Sequence, residues 1–314
     1  MKILLKKIFL FVLPFIGIFL FIEGFYRFVP NDYTKKRDLI EHKKDTTEVL
    51  IFGNSHPFYG LNPKYFNKPT FNLSYVSQTI YFDKLLFDKH IDKFKNVDCV
   101  ILHIEYTSLS EVINTDENNW RKYYYESYMN LEVPSIVKYD PTRLFLSSTR
   151  NFNNNIKILS RFCMDGTLVN CDENGFGINY TPEEKQLISK EEAQKRVNSV
   201  EDHLMDFTDN TLRIQAIIDA CKKRNIEVVL LTLPVTDYFS ENVNQEKLAK
   251  IIKTCNSLTE NNENVSYLNL FKDNRFSNAD FYDSDHLHTN GAIKSSKIVN
   301  QFVNGILQNK KRQL

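Results

Sequence analysis

TEVLIFGNSH, Thr47 to His56, is the stretch on which the fold turns. Val49, Leu50, Ile51 and Phe52 form a short, β-prone apolar run that stops at Gly53, Asn54 and Ser55, which predicts a buried strand ending in a sharp turn. In an open α/β sheet ligands bind at the carboxyl ends of the strands, so a hydroxyl at Ser55 is placed for chemistry. Gly-Asn-Ser is also ordinary turn composition, and the tripeptide alone leaves both readings open.

Outward from that strand, the pattern alternates. Thr70 to Ser74 and Asp98 to Ile104 read as two more strands, with a helically spaced segment, Gln78 to Phe94, between them. Further on, Glu201 to Asn225 reads as a helix, Glu227 to Leu233 as a strand, Val243 to Ser257 as a helix, Val265 to Leu270 as a fifth strand, and Thr289 to Leu307 as the last helix. Strands alternating with helices predict a parallel sheet, and right-handed crossovers put helices on both faces. Residues from about 107 to 200 break into Tyr-rich, Asn-rich and charged pieces with little periodicity, expected to be an irregular insertion.

FYDSDHLHTNGA, Phe281 to Ala292, places Asp283 three residues before His286 in a polar loop. A His used as a general base needs a carboxylate on its far nitrogen, and a nearby Asp can supply one. The same pair would also suit a solvated loop. A strand-end Gly-x-Ser near the start combined with Asp-x-x-His-Leu before a C-terminal helix resembles the SGNH/GDSL hydrolase superfamily. The resemblance implies a flavodoxin-like three-layer α/β/α sandwich with a five-stranded parallel sheet. It also implies a catalytic Ser55, His286 and Asp283, with the Ser55 backbone N–H as first oxyanion donor.

Two further family blocks match less well. In NLSYVSQT, Asn72 matches the family Asn, and Ser77 stands where a glycine is usual, leaving its N–H as the second oxyanion donor. The Gly-x-Asn-Asp block is absent: the chain reads HIEYTSL, and Thr107 or Ser108 falls near the missing Asn. A lost donor of this kind costs about 100- to 1,000-fold in rate. The family's Asp after the first Gly is here Asn54. Asn54, Asn72, Thr107 and Tyr238, the last in the exit loop TLPVTDYF, are candidate substrate contacts; His56 is a candidate second donor or a solvated turn residue. The matched blocks cover roughly residues 47–109 and 201–307.

The N-terminus carries Lys2, Lys6 and Lys7 before an uncharged apolar run of fifteen residues, Ile8 to Ile22. That is short of the roughly 20 residues of a span, but snorkelling lysines, with Tyr26 and Arg27 at the far interface, extend it. No small-x-small cleavage site follows, so an uncleaved anchor over residues 1–30 is expected, then a linker over 31–46 and an SGNH-like domain over 47–309. The single span, the departures above and YGLNP, Tyr59 to Pro63, resemble the membrane-anchored branch that includes proteins of teichoic-acid D-alanylation and polysaccharide O-acetylation. That resemblance implies an acyl (acetyl) esterase or transferase acting on an acylated cell-envelope polysaccharide, with a membrane-bound O-acyltransferase as partner. It places the domain outside the cytoplasm on the inner membrane. The rival is a non-catalytic polysaccharide-binding adaptor of such a system.

With 40 basic and 39 acidic residues in 314, no global field attracts a polyanion, so no nucleic-acid partner is expected. No Cys/His grouping has zinc-site spacing; neither metal nor cofactor is expected. Of five cysteines, Cys99, Cys221 and Cys255 read as buried small residues, while Cys163 and Cys171 flank MDGTLVN, a loop a disulfide could close. The ring-rich run Trp120, Tyr123, Tyr124, Tyr125 and Tyr128 suits a sugar-binding wall or a packed cap equally.

Overall fold

Strand β1, Val49–Phe52, lies inside a sheet because every one of its side chains is buried and both its edges are paired. β2 (Thr70–Asn72) and β3 (Cys99–His103) flank it, followed by β4 (Glu227–Thr232) and β5 (Val265–Asn269), in the order β2-β1-β3-β4-β5, all parallel. The chain winds outward to one side from β1 and to the other from β3. The strand order therefore reverses between β1 and β3, where a crevice opens at the strand ends. The computed structural model describes residues 1–112 and 118–313.

The helices, in chain order, are α1 (Lys2–Phe28), α2 (Asp32–Lys43), α3 (Ser55–Gly60), α4 (Ile80–His90), α5 (Arg121–Met129) and α6 (Phe152–Asp165). They continue with α7 (Lys190–Val200), α8 (Thr208–Lys223), α9 (Asp237–Asn242), α10 (Gln245–Glu260) and α11 (Thr289–Gln313). The chain divides into two compact units: Met1–Arg37 with Asp116–Asn170, and Asp38–Thr115 with Cys171–Leu314.

The second unit holds the sheet. Alternation along the strands sends Val49, Ile51, Ile101, Val229 and Leu231 to one face, where Val299, Val303 and Leu307 of α11 cover them. Leu50, Phe52, Val100, Leu102, Val228 and Leu230 are the intervening positions and are buried too. On that side Phe87 of α4 meets Phe52, α4 packs on α8, and α8 lies against β4. Burial on both faces is why the strands read as continuous apolar runs. The result is the expected three-layer arrangement with a five-stranded parallel sheet.

The first unit is organised on α1. Glu23 accepts the backbone N–H groups of Leu146 and Ser147, and the Tyr128 hydroxyl donates to Tyr26 O at 2.7 Å. Tyr33, Tyr124, Tyr125 and Tyr128 are buried together in edge-to-face contacts. The aromatic run is thus interior packing around the N-terminal helices; of it, only Trp120 and Tyr123 line an open cleft of this unit. The Arg150 guanidinium lies 3.5 Å over the Trp120 ring.

Several expectations need correction. Residues 31–46, read as a linker with no element assigned, are mostly helical: α2 occupies Asp32–Lys43, with Tyr33 and Ile40 buried. The helix expected from Glu201 starts at Thr208, because His203 adopts a left-handed backbone and Glu201 and Asp202 are turned to Lys247. The span from about 107 to 200 contains α5, α6 and α7 and is shared between the two units; its residues 113–117 lie outside the described residues. Cys163 is exposed and Cys171 buried, and no disulfide joins them, so the loop-closing bridge is absent.

Candidate active site

Gly53 turns the chain out of β1 at φ +136°, a backbone open to glycine, and a Cβ there would come within 2.6 Å of His103 Cβ. The next residue, Asn54, caps α3 by accepting the His56 N–H at 3.1 Å. That puts Ser55 in the first turn of α3, half-buried and pointing across the crevice. Its Oγ stands 2.8 Å from His286 Nε2.

The His286 loop is held by its own acid. Asp283 Oδ1 accepts the N–H groups of Asp285 (3.0 Å) and His286 (2.7 Å), while His286 Nδ1 lies 3.1 and 3.0 Å from the two Asp283 oxygens. Asp283 therefore fixes both backbone and ring, leaving Nε2 aimed at Ser55. Ser55, from one motif, and His286 and Asp283, from a second far along the chain, are brought into one hydrogen-bonded chain.

Ser77, the expected second oxyanion donor, lies in the turn between β2 and α4. Ser77 has φ +53°, the left-handed region that glycine occupies at least cost, and the turn closes with the Gln78 N–H on Tyr75 O. Gln78 Nε2 donates to Asp83 Oδ1 at 2.6 Å, and the same oxygen accepts the Gly53 N–H at 3.1 Å. The Asp83 carboxyl thus ties the Ser77 turn to the Ser55 turn. Burial pushes Asp83 up to about 7 despite those two bonds.

The other candidates face elsewhere. Asn72 is wholly buried, its amide donating to Pro57 O and Leu61 O, so it stitches β2 to the middle and the C-terminal end of α3 and lies away from the cleft. Asn54 is spent on its cap. Thr107 donates to Glu105 and lines a small, partly enclosed cavity of about 20 Å³, room for one water, together with His56, His103 and Asp285. Tyr238, on α9, lines neither this cavity nor the cleft. His56 is buried on the far side of His286, its Nε2 3.0 Å from Glu105, and is neither a solvated turn residue nor in the cleft.

Sequence reasoning missed a second layer. Asp285 is buried, gripped by Arg196 of α7 at 3.0 Å, with one oxygen 3.4 Å from His286 Nδ1 and the other 3.7 Å from His56 Nε2. Burial opposes its charge, but His286, Arg196 and His56 hold its carboxyl well below the usual range. Glu105 is likewise held at about 2: burial works against it, and the His56 bond together with the electrostatic pull of His56 and His103 outweighs burial. For His286, burial again opposes charge, yet Asp283 and Asp285 together lift it to about 10. Pairings such as Arg196 with Asp285 join residues far apart in the chain and leave no local signature.

Ser55, Val76, Ser77 and His286 form one side of a cleft of about 530 Å³. The facing wall comes from Tyr180 to Ser199, inside the stretch read as insertion: Gln186, Leu187, Lys195 and Arg196 line it. Tyr180 is sandwiched between Tyr59 (3.6 Å) and Tyr282 (3.8 Å) and presents its edge to His286. Burial, then the Asp283 charge, raises the Tyr180 hydroxyl. His56, Asp285 and His286 have donor atoms within 4.8 Å of one another, the one such grouping able to hold a metal ion among the described residues. Each is already engaged, with Glu105, Arg196 and Ser55/Asp283 respectively.

The class so defined is an α/β sandwich with a Ser-His-Asp chain at the crevice between its first and third strands. No protein-family model and no curated protein matches the sequence. Among solved structures, the chain is similar to a protein provisionally named a platelet activating factor from Streptococcus pneumonia (14% identity, TM-score 0.44, covering 93% of this chain and 98% of that one). It is also similar to a provisionally named acylhydrolase from Bacteroides fragilis (11%, 0.42, 87% and 95%). A third is a GDSL-like lipase from Bacteroides thetaiotaomicron (10%, 0.40, 89% and 100%). Overlaps this loose assign neither family nor activity; what the site can do rests on its own atoms.

Proposed function

We propose that the protein is a serine-dependent O-acyl esterase or O-acyltransferase of the SGNH/GDSL type. The observation that supports it is the 2.8 Å contact of Ser55 Oγ with His286 Nε2, backed by Asp283 on Nδ1 and opening on a cleft. In this reading the neutral form of His286 takes the Ser55 proton as the hydroxyl attacks an ester carbonyl. The N–H groups of Ser55 and Ser77 stabilise the oxyanion, and His286 returns the proton to the leaving alcohol. Water then releases the acid, or a sugar hydroxyl receives the acyl group.

The cleft wall favours a small acyl group on a polar carrier. Val76 and Leu187 are its aliphatic members, while Gln186, Glu192, Lys195, Arg196 and Ser199 offer hydrogen bonds. An acetylated glycan fits that chemistry better than a long acyl chain. Thr107 is bonded to Glu105 and lines the small separate cavity, so in this reading its loop adds no third donor and turnover is expected to be slow. That same gap favours the adaptor, which would hold polysaccharide for a membrane-bound O-acyltransferase without chemistry of its own.

For location, α1 is long and apolar enough to cross a membrane. We place the second unit outside the cytoplasm, on the inner membrane, where an exported polysaccharide would meet it.

The full chain in detergent, given a chromogenic acetyl ester and an acetylated oligosaccharide, is expected to release acetate slowly, and Ser55→Ala to abolish release with folding retained. Transfer to an added sugar would identify the transferase. Equal silence of both proteins, with equal polysaccharide binding, would leave the adaptor.

A further inference from the structure

Helix α6, in the first unit, is built inside out for a helix bathed in water. Its one buried residue is Asn155, which accepts from the Tyr26 hydroxyl at 2.8 Å and donates to Ser147 O at 2.9 Å. Ile158 and Phe162 flank it on the inner side, and the Phe162 ring meets Phe25 of α1 edge-on at 5.2 Å. On the outer side Phe152, Ile156, Leu159 and Cys163 recur at steps of four, three and four, the spacing of a single helical stripe. Phe152 is 65% exposed and Ile156 43%. Lys157, Ser160 and Arg161 form a polar ridge beside that stripe.

The apolar surface does not stop at α6. Leu144 (65% exposed) and Phe145 (42%) are exposed apolar residues of the same unit, and the Phe145 ring packs 5.2 Å from Phe19 of α1. The Glu23 carboxylate pins this loop to α1 through Leu146 and Ser147. So α6, through Phe162, and this loop, through Phe145, both abut α1, the one helix among the described residues long and apolar enough to span a bilayer. Contiguous apolar patches on soluble surfaces are small, and a larger one marks a partner or a membrane.

We infer that α6 and the Leu144–Phe145 loop form a collar seated in the membrane–water interface. Phe152, Ile156, Leu159 and Cys163 sink to the acyl-chain boundary, while Lys157 and Arg161 reach the lipid phosphates. The occupant of this face is phospholipid of the bilayer that α1 crosses, and the inference rests on reading α1 as a span. Anchoring is then by a span plus an interfacial helix, which fixes the rotation and height of the first unit, as a lone span would not.

Cys163 supplies the reporter, because it is exposed and the other four cysteines are buried. The full chain, labelled there with an environment-sensitive fluorophore, is reconstituted in phosphatidylethanolamine–phosphatidylglycerol vesicles and quenched by lipids brominated high on the acyl chain or by aqueous iodide. Phe11→Cys and Glu263→Cys, each in a Cys163→Ser chain, report the span and the aqueous surface. The inference expects the Cys163 probe to be quenched several-fold more by brominated lipid than by iodide. Phe152→Asp with Ile156→Asp, both at exposed positions, should return it to iodide while Phe11 stays lipid-quenched. Free iodide access at Cys163 with Phe11 lipid-quenched overturns the collar and leaves the span. Iodide access at both removes the span reading as well, and shielding from both quenchers overturns the collar in favour of a second copy covering the face.

Discussion

His286 sits between two carboxylates, and only one of them was visible as its partner. Asp283 stands at the expected spacing, but Asp285 reaches the same ring at 3.4 Å because Arg196 holds it there. A base must be neutral to accept the Ser55 proton, so with His286 lifted to about 10, kcat/KM should climb through the alkaline range. Asp285→Asn removes one of the carboxylates and leaves Arg196 uncompensated. Both changes disfavour the imidazolium, so the acidic limb should move down by about 1–3 pH units. A limb that stays put in pH–rate profiles would mean that Asp285 does not act on His286. Ser55, His286 and Asp283 were legible because their chemistry fixes residue type and local spacing. Asn72, Thr107 and Tyr238 misled because spacing does not say where a side chain points, and backbone carbonyls or Glu105 claimed two of them.

Among the elements, the strands announced themselves by apolar runs that burial on both faces requires, and α4, α10 and α11 by their stripes. Helix α2, DYTKKRDLIEHK, has no clear stripe to read and was missed. The β1–α3 and β2–α4 turns depend on Asp83, which no pattern revealed. Its folded carboxyl titrates near 7, above its ordinary value of 3.8. From about pH 4 to 7 the unfolded carboxyl ionises while the folded one keeps its proton. Its contribution to stability is therefore full at acid pH and lost as pH rises through 7. Asp83→Asn keeps an oxygen for the Gly53 and Gln78 donors without a buried charge. It should be more stable than wild type at pH 8, by up to roughly 4 kcal/mol, with the gap closing towards pH 4. Equal melting differences at both pH values would refute the buried-charge account.

At the scale of the whole chain, the N-terminal run declared a possible span, while the partition into two units did not show in the sequence, since residues 1–37 and 116–170 are separated by the first half of the sheet. Topology is testable with Glu263, whose side chain is 94% exposed in the second unit. Glu263→Cys in a Cys163→Ser chain should react with an impermeant maleimide in intact cells. Reaction only after lysis would put the sheet in the cytoplasm and remove an exported glycan from consideration.

Trp120, the sole tryptophan of the chain, lies in the first unit under the Arg150 guanidinium, while the ring stack Tyr59, Tyr180 and Tyr282 lies in the second. Tyrosines occur in both units, but the tryptophan only in the first. Excitation at the red edge of the absorption band therefore reports on the first unit alone, and its emission senses the cation on its face. Melting of that unit can thus be followed optically in the unmodified protein, against a tyrosine dichroism to which both units contribute.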